Sequence, residues 1–363
     1  MILHIYLARR FLWTFLAIFA GFVILLLLID LIKELQDFPG LPFRDIVEIA
    51  FLKAPEANYE ILPLIIILAT VALFLRLSRS SELVVVRASG RSALRALIAP
   101  LAMAGMIGVV SITMLNPIVA ASAKRHNDFM NSYLDWGTSV LAIAPEGLWL
   151  RQGSEDGQTV IHAEGASSDV SILYRATFIA FDLDGTPISR MTAESAELGD
   201  GEWRLSNAKL WDLSNGINPE NTARELDSLS VPSALTQDRI IDSFGKPEYI
   251  SIWNLPKFIN QLEEAGFSAR RYTVWFQMEL ARPLFLVALV MAAAAFTMRH
   301  SRLHNTGISV LTAIMLGFGL HYIRNFAQIL GENGQIPVML AAWAPPVAAF
   351  LLALGILLHM EEG

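Results

Sequence analysis

Six apolar stretches, three on each side of a long polar middle, constrain this chain more than any other feature. The clearest is residues 11–29, 19 residues without a charge, enough to cross about 30 Å of hydrocarbon at about 1.5 Å per residue. Residues 61–75, 96–123, 283–298, 306–323 and 336–360 complete the set. The second is short, and spans only by recruiting the uncharged Ala57, Asn58 and Tyr59 or by thinning the bilayer. The chain is 363 residues long and 54% hydrophobic, with a mean hydropathy of +0.48, which no ordinary soluble domain reaches. It reads as an α-helical membrane protein, with three spans in residues 1–123, a soluble insert in 124–271 and three spans in 272–363.

The basic residues set an orientation, because segments left inside during insertion are enriched in Lys and Arg. Arg9 and Arg10 precede the first span, Arg299 and Arg302 follow the fourth, and residues 76–95 carry Arg76, Arg79, Arg87, Arg91 and Arg95. The short segments on the other side offer Lys33, Arg44, Lys53 and Arg324. Both termini are therefore expected in the cytoplasm and the insert outside it, in the periplasm of a bacterium. Arg9-Arg10-Phe11-Leu12 reads as the positive flank of a first span and not as a twin-arginine signal, since the apolar stretch is too long for a signal peptide. With no cysteine, disulfides and lipoprotein attachment are excluded. The net charge of −7 gives no reason to expect nucleic acid.

Residues 147–245 read as β-structure: short alternating runs, 147–151, 159–164, 171–185, 188–198 and 201–213, separated by Gly, Asp, Asn and Ser. Asp184-Gly185 and Asp200-Gly201 signal hairpins. Five or six such strands predict an antiparallel sandwich or jelly roll. Thr177, Ile179, Phe181 and Leu183 fall on one face of their strand, and Phe178, Ala180 and Asp182 on the other. Trp149, Phe178, Phe181, Trp203 and Trp211 either pack the core or line a ligand cavity, which alternation alone leaves open. Asp182-Leu183-Asp184-Gly185 is a turn, because Thr186-Pro187 cannot continue a calcium loop.

No catalytic or metal constellation survives inspection. Gly245-Lys246 is followed by Pro247 and lacks the glycine that a phosphate loop requires at position 240, where Ile stands. His300 and His304 share a helical spacing but lack the intervening glutamate of a zinc protease. Every cytoplasmic segment is too short for a catalytic domain, so any energy input must come from another chain. Residues 76–95 offer that chain a docking place in charge terms: five arginines surround one acid, Glu82, between uncharged neighbours. Ser81, Glu82 and an apolar run ending at Gly90 suit a short capped helix. Val84-Val85-Val86 suit a strand as well. A helix would put Leu83 and Val86 on one side.

Several separated blocks resemble the LptF/LptG family of lipopolysaccharide export permeases: RSSELVVVRASGRS at 79–92, SIWNLPKFINQLEEAGFSARRYTVWFQMELARPL at 251–284, RHSRLHNTG at 299–307 and GENGQIPVMLAAWAPP at 331–346. The resemblance covers essentially the whole chain, and AAWAPP with the EEG terminus leans towards the LptG branch. It implies a half-transporter with six spans, three plus three, around a periplasmic β-jelly-roll domain. Its expected partners are an LptF-like paralogue, an LptB-type ATPase dimer that uses ATP and Mg, the LptC and LptA proteins of the jelly-roll bridge, and lipopolysaccharide. This chain would hold no cofactor or metal itself. The resemblance aligns Glu82 with the coupling glutamate, with Leu83, Val86 and Arg87 beside it. Lipid headgroup candidates at the outer surface are Lys33, Arg271, Arg282 and Arg324, and Phe178, Phe181, Trp203 and Trp211 are candidates to cradle lipid chains. Lysines that the family often places after the first span are reduced here to Lys33, among Asp30, Glu34 and Asp37. Two other readings are another ABC lipid or lipoprotein exporter, which usually has one span before its periplasmic domain, and a non-transport scaffold with a periplasmic ligand-binding domain.

Overall fold

A computed structural model describes residues 2–82, 93–134, 142–144, 147–154, 157–167, 171–199, 201–214, 218–233, 235–236, 240, 246–264, 267–298 and 306–362. The chain forms two compact units. The first comprises Met1–His126, Glu248–Trp253 and Arg270–Gly363, and the second Asn127–Pro247 and Asn254–Ala269.

The first unit is helical. Its elements are α1 (Ile2–Asp37), α2 (Phe43–Glu60), α3 (Leu62–Arg79), α4 (Ala93–Val110) and α5 (Asn116–Leu134), which runs on into the second unit, then α7 (Arg270–Thr297), α8 (Thr306–Glu332) and α9 (Val338–Glu362). Among the described residues, six helical spans are long and apolar enough to cross a membrane. α4 and α5 make one of them, joined by a π-helical turn at Ser111–Leu115. Helix α2 was not anticipated from the sequence. Its apolar Ile46, Ile49 and Ala50 are buried, but its acids and Lys53 keep it below the hydropathy of a span, as for a helix that lies along a surface.

Burial separates the spans sharply. The most apolar stretch of α7 is 72% buried and that of α1 only 6%. Helix α7 can sit centrally because its surface is small: Ala288, Ala292, Ala293, Ala294 and Ala295 are all buried, and small residues let membrane helices approach without a hydrophobic driving force. Gly108 of α4 marks one such approach, since a Cβ there would lie 2.5 Å from the Pro283 Cα. In α1 the buried apolar residues are Leu7, Phe11 and Phe15, one stripe at i, i+4 and i+8 that joins the core of Leu73, Phe74, Leu77 and Leu97. Beyond Phe15 only Glu34 of α1 is buried.

The second unit contains one antiparallel sheet whose seven strands are paired in chain order: β1 (Ala142–Ala144), β2 (Gly147–Ser154), β3 (Gly157–Ala166), β4 (Ile172–Phe181), β5 (Pro187–Gly199), β6 (Glu202–Asp212) and β7 (Arg224–Pro232). Helix α6 (Leu255–Glu264) completes it. The antiparallel membrane-protein insert is as expected, and Gly185, at φ 82°, closes the β4–β5 turn at Asp182–Gly185. Asp200, Gly245, His300 and His304 lie outside the described residues.

A crease that simple alternation does not foresee crosses this sheet. The β3–β4 ladder runs from Ala163↔Ala176 to Gly165↔Tyr174, passing over Glu164 and Arg175. The next ladders pass over Glu194, Asn207 and Asp227 in the same row. Arg175 (φ 49°) and Asn207 (φ 52°) are left-handed there, with Arg175 paired to Glu164 at 2.5 Å and Asn207 donating to Glu194 at 2.7 Å. Pairing is skipped on both strands together and the register is kept, so neighbouring strands bend in step and the inward-facing side chains change over. The buried residues step accordingly by three, Ala163 to Ala166, Leu173 to Ala176, Ala193 to Ala196 and Leu205 to Ala208. Six of those eight are alanines, so the sheet bends where its inner face is least bulky. Phe178 and Trp203 fill that inner face, both fully buried and 6.1 Å apart, edge to face.

Candidate functional site

Two clusters of charge stand out in the helical unit, towards opposite ends of its spans. The first gathers where α3 ends. Arg76 and Arg79 lie in its last turn, where cations suit the negative helix end, and the Ser80 N–H closes the helix on the Arg76 carbonyl. Ser81 then turns left-handed at φ 56° and delivers Glu82 to α1. One Glu82 oxygen accepts from Arg10 Nη1 at 2.6 Å and from the Tyr6 hydroxyl at 2.9 Å. The other accepts from Ser80 Oγ at 2.8 Å. The Arg10 guanidinium also sits over the Tyr6 ring, 5.3 Å from its centre. The Arg10 hydrogen bond, helped by those from Ser80 and Tyr6, holds the Glu82 carboxyl below the usual carboxylate range. Leu83, Val86 and Arg87, expected beside Glu82, lie outside the described residues.

The second cluster is buried between α2, α7 and α8. Arg282 is held by Glu279 one turn earlier, through Nε at 3.0 Å and Nη2 at 2.5 Å. The Tyr59 hydroxyl donates to the same carboxylate, and the guanidinium lies over the Tyr59 ring at 3.9 Å. Glu279 is 0% and Arg282 5% exposed. Such a buried pair is tolerable only because its charges and hydrogen bonds are matched.

Arg324, 6% exposed, is not matched. Its guanidinium stacks over Phe285 at 5.4 Å, while Nε and Nη2 have no hydrogen-bond partner. Arg282 and Arg324 border one cavity of about 360 Å³, together with Tyr59, Asn116, Trp275, His321 and Gln328. Trp275 Nε1 and His321 Nδ1 also lack a partner. The acids on this lining, Glu56, Glu60 and Glu248, are more exposed than the two arginines. The two arginines are the most deeply buried charges of the cavity, Glu60 is exposed, and Glu248 also buries one carboxylate oxygen. An unsatisfied buried guanidinium costs more than the hydrogen bond it forgoes, so the arrangement suits a ligand group rich in acceptors.

The headgroup candidates therefore divide. Arg282 and Arg324 meet in the cavity, whereas Lys33 is exposed on α1 and Arg271 half-buried on α7, neither on its lining. Sequence reasoning missed Glu279, Trp275 and His321. A glutamate three residues before an arginine at the edge of an apolar stretch was the available signal for the first. Of the aromatic candidates, Phe178 and Trp203 are core neighbours in the sheet domain. Phe181 is half-buried. Trp211 is held between Arg190 and Lys209, with its Nε1 donating to Glu220 at 2.8 Å. Among the described residues no group of His, Asp and Glu is arranged to hold a metal.

The family model for the lipopolysaccharide export system permease LptF/LptG matches residues 5–359. The chain belongs to the LptF/LptG family. It is 26% identical over 286 residues to the lipopolysaccharide export system permease protein LptG of Escherichia coli, covering 78% of this chain and 77% of that one. To the LptG of Haemophilus influenzae it is 24% identical over 341 residues, 91% of each chain. The chain is thus a multi-pass membrane permease of a lipopolysaccharide export family, with the six spans and antiparallel insert expected of it.

Proposed function

We propose that this chain is one permease half of an ABC exporter that takes lipopolysaccharide from the inner membrane and passes it to a periplasmic bridge. The other half is an LptF-like paralogue, an LptB-type ATPase dimer supplies ATP hydrolysis, and LptC and LptA receive the lipid. Both termini and Glu82 then face the cytoplasm, and the sheet domain faces the periplasm. The observation that carries this reading is Arg324, a buried guanidinium with two unpartnered nitrogens on a polar cavity within the membrane-spanning unit. A phosphate or carboxylate of the lipid headgroup satisfies Arg324, Trp275 and His321, and headgroup hydroxyls meet the glutamates of the lining.

Mechanically, exposing several acyl chains to water costs about 0.8 kcal/mol per CH₂, tens of kcal/mol in all. The lipid must therefore stay covered while ATP drives discrete steps. Glu82 and its neighbours Leu83, Val86 and Arg87 form the coupling element, and Phe178, Phe181, Trp203 and Trp211 are the aromatic residues offered to lipid chains. The test is reconstitution of the complex from the native membrane. Co-purification of a soluble ATPase and ATP-dependent transfer of lipopolysaccharide are expected. A complex without an ATPase would instead favour the scaffold reading.

A further inference from the structure

The way α1 is attached bears on how force crosses this chain. Its fully buried apolar residues end at Phe15. Ile18, Phe19 and Phe22 pack half-buried against the same core, and residues 23–33 present no buried side chain. At about 1.5 Å per residue that last stretch is about 16 Å long. Its far end is tied to α2 by the Glu34–Lys53 ion pair. The near end of α1 is tied to the segment after α3 by Arg10 and Tyr6, which converge on one oxygen of Glu82 across 72 and 76 positions of sequence. Leu7 and Phe11 flank this tie on the same end of the helix and are 2% and 0% exposed. The first half of α1 and Glu82 therefore form one packed, charge-tied body, and the rest of α1 extends from it to the tie with α2.

We propose that Arg10, with Tyr6, is a positioning residue for transport: it locks Glu82 to α1, so that displacement of the Glu82 segment by the ATPase swings α1. This rests on the coupling role proposed for Glu82, and adds to it a specific receiver of the motion. Arg10 and Tyr6 need touch neither lipid nor ATPase. Removing Arg10 leaves ATPase docking in place but loses the link between hydrolysis and movement of α1.

The experiment uses the whole reconstituted complex. Because the chain has no cysteine, spin labels can be placed in it at Ile24→Cys on α1 and Leu352→Cys on α9, both exposed. The α1–α9 distance is expected to shift on trapping with ATP and vanadate. In Arg10→Gln the ATPase should still co-purify, the shift should disappear, and lipid released per ATP should fall about fivefold or more, the lower end of typical coupling energies. Arg10→Lys, which keeps the ion pair, should retain the shift. The exchange Arg10→Glu with Glu82→Arg rebuilds the tie while reversing the charge offered to the ATPase, so it should restore the resting distance but not release. A shift and a release ratio unchanged in Arg10→Gln would overturn the lock even where Glu82→Arg alone abolishes release. Unchanged release in Glu82→Arg would instead remove the coupling reading beneath it. Should Arg10→Gln fail to assemble, Tyr6→Phe serves, with a partial loss of the shift expected and an unchanged shift counting against the lock.

Discussion

The two charged clusters of the helical unit are built from the same three residue types. In each a tyrosine hydroxyl and an arginine converge on one glutamate, and the arginine lies over the tyrosine ring. They differ in solvent. The Arg282 and Glu279 side chains are 6% and 0% exposed, those of Arg10 and Glu82 19% and 34%. The buried triad is committed to holding α2 against α7, since either charge alone would be stranded. The exposed triad contributes little to stability, which leaves it free to break and re-form under load. Burial decides whether a substitution is felt as a loss of fold or a loss of transport.

Breaking the buried triad should have the largest effect. Arg282→Ala or Glu279→Ala is expected to cost about 3–5 kcal/mol, seen as a collapse of the folded fraction in detergent on heating. Replacing both with apolar residues of similar volume should recover most of it. Arg324→Gln sharpens the contrast, because the residue is buried like Arg282 but unmatched. Stability should hold or improve, while lipopolysaccharide binding weakens by about 1.5–3 kcal/mol, the value of hydrogen bonds to a charged group. Glu82→Arg should leave thermal stability within about 0.5 kcal/mol and abolish ATP-driven release, with hydrolysis continuing. The smallest effect concerns pH. Because Arg10 holds the Glu82 carboxyl low, the tie is fully present above the ordinary glutamate value of about 4.3 and is lost only as pH falls through the depressed one. The α1–α9 label distance should accordingly be the same at pH 7.5 and 5 and change only in stronger acid.

How much of this was legible depended on range. The spans follow from local composition, and the family from ordered blocks along the whole chain. Arg282 and Arg324 could be marked because charge at a bilayer edge is conspicuous. Their partners could not: Tyr59 meets Glu279 across 220 positions and Arg10 meets Glu82 across 72, and no periodicity carries that information. Helix α2 escaped notice because its acids dilute its apolar stripe below the signal of a span. The crease escaped because alternation is read strand by strand, whereas the left-handed turns at Arg175 and Asn207 fall in one row across the sheet. Its only local trace is the run of alanines at Ala163, Ala176, Ala193 and Ala208.

The central claim, that the Arg324 cavity receives the lipid headgroup, is tested most directly by photocrosslinking. A photoreactive amino acid at Gln328, on the cavity lining, is placed in the complex purified with its ATPase in lipopolysaccharide-containing membranes. The account predicts a crosslink to lipopolysaccharide that fades when ATP is supplied and is weak in Arg324→Gln. A complex that hydrolyses ATP and releases lipid, yet gives no lipid crosslink from Gln328, would contradict it.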